Sequence, residues 1–203
     1  MPYGSIRWTL PLARGAASLM ESTYLFLDTE WADLPGVELV SLGLISADGR
    51  HQFYAERDPL PCDPTAFVCE TVYPLLERGR AAMRDAEFTM SLRSFLRSMP
   101  RPSIVYDYPN DGALLHTAIA GFRLLPIDLA KCEVPPADLQ TMYVKDDLTA
   151  MILEDWFLAN PQEAERRHHA LVDARALRIA WLASNGKIDA EWSPFWRRQK
   201  SAR

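Results

Sequence analysis

Three β-favouring runs come ahead of any strong helical pattern in this chain, and their order limits the fold more than any other feature. The first is "TYLFLDTEW", residues 23 to 31. The stretch "VELVSLGLISADGRHQFYAE" then reads as two more strands joined at Asp48-Gly49, a dipeptide suited to the positive φ angles of a tight hairpin. Three neighbouring strands therefore open the fold. The first of them ends in Asp28, Thr29, Glu30 and Trp31, an unusual finish for a strand whose other residues suit a core.

Helical signals follow. "RDPLPCDPTAFVCETVYPLLERG" reads as a prolyl loop and a short helix interrupted by Pro74, stopping at Gly79. Residues 86 to 98 place Phe88, Leu92, Phe95 and Leu96 at helical spacing, with Pro100 and Pro102 beyond the end. "PSIVYDYPNDGALLHTAIAGF" is a short apolar strand, an acidic turn holding Asp107 and Asp111, and a helix carrying Leu114, Leu115, Ile119 and Phe122. The section from 126 to 160 has a turn at Pro135-Pro136 and a helix from Asp147 to Phe157. From Pro161 a polar stretch becomes a periodic helix through Leu171, Ala174, Leu177, Ile179, Ala180 and Leu182, and this reading places His168 and Asp173 within it. Strands first, then mixed strands and helices, predict an α/β fold with a mixed central sheet flanked by helices, in the order of a ribonuclease-H-like sheet.

A chain of 203 residues, 48% of them apolar, can bury the core of one domain. Residues 1–19 read as an extension outside the core, because Met20 stands just before the first strand. Residues 20–185 read as the folded domain. Residues 186–203 read as an aromatic, then basic, tail: a flexible end or a small phosphate-attracting patch. A net charge of -5 and a pI near 5.4 argue against coating long duplex nucleic acid, and leave room for a local contact. Cys62, Cys69 and Cys132 form no CxxC pair and, being odd in number, close no complete disulfide framework, which points to a reducing compartment. No apolar run approaches the roughly 20 residues of a bilayer span, so the expectation is a cytoplasmic protein with no membrane partner.

Because side chains alternate along a strand, Asp28 and Glu30 project to one face while Thr29 points to the other. Two converging carboxylates resist joint ionisation unless a cation neutralises them, and hard oxygen donors suit Mg2+ or Mn2+. Solubility at an exposed strand end is the plainer account of the pair. For Asp111, at the start of a helix, the plainer account is a cap on backbone N–H groups. For His168 it is a surface side chain, and for Trp31 a buried core or interface tryptophan. An Asp on an apolar helix face, as Asp173 is, needs a partner.

Taken together and in this order, "LDTEW", "YDYPNDGALL" and "HHALVDA" resemble the three exonuclease motifs of the DEDD superfamily of 3'-5' exonucleases, in its DEDDh branch. Within that branch the likeness is greatest to small bacterial, mycobacterial-type exoribonucleases, and it covers roughly residues 23 to 183. The resemblance implies that Asp28, Glu30, Asp111 and Asp173 hold two divalent metal ions, Mg2+ or Mn2+. It also places His168, five residues before Asp173, in the HxAxxDA pattern completed by Ala170 and Ala174. His169, four residues before Asp173, is the rival. Asp107 departs from the pattern, standing where many relatives have Asn. It reads as a weak metal contact or an orienting partner for Asp111 on the substrate side. Phe67 and Val68 lie in a stretch resembling the helix after the third strand of these relatives, where they line the substrate entrance.

The chemistry implied is hydrolysis of phosphodiester bonds from the 3' end of a single strand, releasing nucleoside 5'-monophosphates by a two-metal mechanism. His168 is the general base, since an imidazole titrates near working pH. Trp31 and Phe67 are candidates for stacking on terminal bases, which needs no broad basic surface. The resemblance favours RNA over DNA. The alternatives are a single-stranded DNA exonuclease of proofreading or repair type, and a non-catalytic nucleic-acid-binding module on the same fold. Six tryptophans and two apolar helix surfaces leave room for a homodimer.

Overall fold

A computed structural model describes residues 22–201. The extension expected at residues 1–19 lies outside the described residues. Strands β1 (Thr23–Trp31), β2 (Leu39–Ser46) and β3 (Gln52–Arg57) form the expected antiparallel meander, with the turn at Asp48-Gly49 and Gly49 at φ +74°. A π-helical turn at Val68–Val72 and 3-10 turns at Tyr73–Leu75 and Gly79–Ala81 replace the short interrupted helix. Next come β4 (Ala82–Met83), α1 (Asp85–Arg97), β5 (Pro102–Tyr106), α2 (Pro109–Ala120), α3 (Pro126–Leu129) and β6 (Gln140–Tyr143). The chain ends with α4 (Asp147–Ala159), α5 (Pro161–Ala164), α6 (Ala170–Ser184) and α7 (Pro194–Ser201).

The sheet order is β4-β3-β2-β1-β5-β6. β5 lies parallel to β1, and β6 parallel to β5, so the sheet is mixed, as expected. Alternation along β1 divides the core. Leu25 and Leu27 pack with Phe88, Leu92 and Leu96 of α1 and Leu114, Leu115 and Ala118 of α2. Phe26 faces the other way, onto Leu171, Ala174 and Leu177 of α6. Full burial of such side chains is worth about 1.5–3 kcal/mol each. Helix α4 lies against the outer side of α6 through Trp156 and Phe157 on Val172 and Ala176.

Two sequence expectations are corrected. No single helix runs from Pro161. Helix α5 stops at Ala164, a turn follows in which His168 takes φ +74°, and α6 starts at Ala170 with His169 at its N-cap position. His168 therefore precedes the helix rather than lying within it. Nor is the aromatic tail a free end as far as it is described. Ala190 and Trp196 are buried with Ile152 of α4 and Ala180 and Ala183 of α6, an apolar surface that sequence periodicity alone does not assign to a partner. Strand β6 escaped sequence reading because most of it is exposed at the sheet edge, where no alternation of apolar residues marks it.

Candidate active site

The carboxylates meet at the C-terminal end of β1, and the two faces of the sheet supply them differently. Asp28 and Glu30 face α6, whose first turn carries Asp173. Helix α6 comes this close because β2 has a glycine opposite Asp28. A Cβ on Gly43 would meet the Leu171 backbone N at 2.5 Å and the Ala170 carbonyl at 2.6 Å. Asp111 comes from α2 on the opposite face. Thr29, pointing there as alternation requires, donates its hydroxyl to Asp111 Oδ1 at 2.7 Å and its N–H at 3.2 Å. Asp111 is thus no helix cap: its carboxylate turns to β1, and α2 has no side-chain cap bond.

Nine residues proposed from the sequence for metal, base or substrate roles line one cavity of about 560 Å³: Asp28, Glu30, Trp31, Phe67, Val68, Asp107, Asp111, His168 and Asp173. The rival His169 does not line it. His169 is buried, stacks on Tyr54 at 4.4 Å between ring centroids, and turns Nε2 to Glu77 at 3.4 Å. His168 instead sets its ring edge-on to Phe67, 5.1 Å between centroids, and its N–H donates to Asp173 Oδ2 at 3.0 Å. Donor atoms of Glu30, His168 and Asp173 all lie within 4.8 Å of one another.

The electrostatics are those of buried carboxylates crowded together with one guanidinium, Arg167, at the edge of the cavity. Burial pushes Asp28 well above the usual carboxylate range, and the charges of Asp111, Asp173, Glu30 and Asp107 add to it. Burial does the same to Glu30, with Asp173 and Asp111 adding. Asp111 is pushed up to about 7 by burial, against the opposing Thr29 hydrogen bonds. Asp173 also rises to about 7 by burial, against the His168 N–H and the Arg167 charge. Asp28 Oδ2, Asp111 Oδ2 and Asp173 Oδ1 are buried without a hydrogen-bond partner. Unpartnered buried carboxylate oxygens converging on one space are a donor set that fits hard divalent cations such as Mg2+ or Mn2+. Burial, and then Arg167, lowers the pKa of His168, favouring the neutral imidazole that a base requires.

Around this cluster the walls are largely apolar. Trp31, half-buried where the β1–β2 register shifts after Glu30, stacks on Tyr108 at 5.5 Å between centroids. Tyr108 and Phe67 are about half exposed, and Leu34 is 90% exposed at the same cavity. Val68 is buried in a small cluster with Ala32, Val40 and Val72, so it forms cavity wall chiefly through its part in the core. Sequence reading missed Leu34, Tyr108, Leu153, Phe157 and Arg167. Tyr108 sits within the acidic turn and Arg167 beside His168, so adjacency marked them. Leu153 and Phe157 belong to α4, which only the fold brings to the site.

No protein-family model matches the chain, and no curated protein is significantly similar to it. Among solved structures it resembles that of exonuclease I, described as suggesting how processivity is achieved. The TM-score is 0.55 at 18% identity, over 82% of this chain and 41% of that one. The fold is ribonuclease-H-like. The chain spans about two fifths of that structure's length.

Proposed function

We propose that this chain is a metal-dependent 3'-5' exonuclease of the DEDDh type, removing nucleoside 5'-monophosphates from the 3' end of single-stranded RNA in preference to DNA. The observation that carries the reading is the convergence of Asp28, Glu30, Asp111 and Asp173, with unpartnered buried oxygens on three of them, beside His168 in one apolar-walled cavity. Divalent cations held by the four carboxylates would supply the positive charge that a polyanionic strand needs there and make water at the scissile phosphate more acidic.

The chain's own residues do the rest. His168 takes a proton from the attacking water, whose oxygen bonds to phosphorus as the bond to the 3' oxygen breaks. The released nucleotide keeps the 5' phosphate, and the 3' oxygen of the shortened strand takes a proton from solvent to end as a 3' hydroxyl. Trp31, Tyr108, Phe67 and Leu34 offer faces on which terminal bases stack without sequence readout, which accommodates an acidic protein acting on nucleic acid. Asp107, at the same cavity, adds negative charge around Asp111 and Asp173.

The test is product analysis of a 5'-labelled short RNA and its DNA counterpart with Mn2+ or EDTA, using wild type and Asp28→Ala. Stepwise shortening that needs both metal and Asp28 is expected, faster on RNA. Equal or faster shortening of DNA would move the substrate to DNA, and none of either strand would leave a binding module.

A further inference from the structure

The turn that carries His168 is held from both sides, and one of the two anchors has no place in the chemistry above. His168 has φ +74°, a conformation that costs a residue with a Cβ some strain and persists where its surroundings enforce it. Downstream, His169 is buried against Tyr54 of β3. Upstream, Arg167 reaches the other way to α4. Its Nη1 donates to Glu154 Oε2 at 2.8 Å and its Nη2 to Glu154 Oε1 at 2.5 Å, and its guanidinium lies 4.9 Å above the Phe157 ring. Glu154 and Phe157 are three residues apart, on one face of α4, so fork and ring together fix the plane of the guanidinium.

We propose that Arg167 is a positioning residue: pinned to Glu154 and Phe157, it holds the turn so that the His168 imidazole stays over the carboxylates. This rests on the nuclease reading with His168 as base. The side chains of the pair are 41% and 56% exposed, so the pair adds little to global stability and its variants are expected to fold. Its effect is local. A base displaced by about 1 Å loses most of its effect on rate, while apolar base contacts at Trp31 and Tyr108 stay in place. Arg167 is also the one Lys or Arg among the described residues lining the cavity, so direct contact with a substrate phosphate is the competing role.

Charge reversal separates the two. Arg167→Glu and Glu154→Arg are compared singly and as the double swap, following kcat and KM on a short labelled oligonucleotide with Mn2+. Each single variant is expected to lower kcat about tenfold or more with KM within about twofold, and the swap to restore kcat to within about threefold of wild type. In the metal-free proteins, the His168 ring resonance should shift or broaden in the single variants and return in the swap. A raised KM in Arg167→Glu that the swap does not rescue assigns the guanidinium to substrate phosphate and overturns the proposal. Unchanged kcat and an unchanged resonance in both single variants overturn it as well. Failure of the parent reading looks different: an inactive wild type removes the nuclease assignment itself, and a fully active His168→Ala removes His168 as its base.

Discussion

Replacing Asp111 by Asn should stabilise the metal-free protein and abolish its function. Asp111 is fully buried, and its carboxyl is pushed from 3.8 up to about 7. A folded-state value raised above the unfolded one means that stability is fully present below the unfolded pKa and lost as pH rises through the folded one. From pH 4 to pH 8 the metal-free wild type therefore weakens. The gap, set mainly by burial, is worth about 4 kcal/mol at 1.36 kcal/mol per pH unit, a ceiling because Asp111 titrates together with the neighbouring carboxylates. Taking half, Asp111→Asn gains about 2 kcal/mol at pH 8, or about 4–8 °C in Tm for a domain of this size. The Asn carbonyl still accepts from Thr29, and its amide can donate to the carboxylates now facing Asp111 Oδ2. The assay is thermal unfolding in EDTA at pH 4.5 and pH 8, then with Mn2+. The gain should shrink at pH 4.5, and Mn2+ should raise Tm in wild type and much less in the variant. A destabilised Asp111→Asn at pH 8, or a gain that does not change with pH, would refute the account of the cluster.

Three further outcomes test other parts of the site. His168→Ala should lower kcat by roughly 100-fold or more with little change in substrate binding, and a larger kcat effect from His169→Ala would reverse the assignment of the base. Gly43→Ala should lower kcat about tenfold or more, because its Cβ has no room against the Ala170 and Leu171 backbone and must push away the start of α6 that carries Asp173; full activity would show that the close approach does not matter. Trp31→Ala should raise KM for short oligonucleotides several-fold through lost stacking, worth about 1–3 kcal/mol per base, and an unchanged KM would remove Trp31 from the substrate site.

Much of this was legible before the fold was known, for particular reasons. Alternation placed Asp28 and Glu30 together and Thr29 opposite, because the side-chain period of a strand is fixed by its backbone. The Asp48-Gly49 turn declared the meander, since few dipeptides accept its positive φ angles. The resemblance to the exonuclease motif favoured His168, five residues before Asp173, over His169, and the structure adds a contact that a shared helix would not make: a left-handed turn folds the His168 N–H back onto Asp173.

The rest depended on contacts between residues far apart in the chain, which local pattern does not encode. Thr29 reads only as pointing away from Asp28 and Glu30 until α2 sets Asp111 against it, 82 positions away. Tail residues 186–201 read as a loose end until α4 and α6 present the apolar surface that takes Trp196. Gly43 was not singled out in the sequence, because its role appears only where the α6 backbone rests on it. The chain alone determined which chemical groups were present and the local geometry at which strands and turns offer them. Tertiary structure alone decided which groups share a buried space, because burial and charge repulsion exist only once distant segments have excluded the water between them.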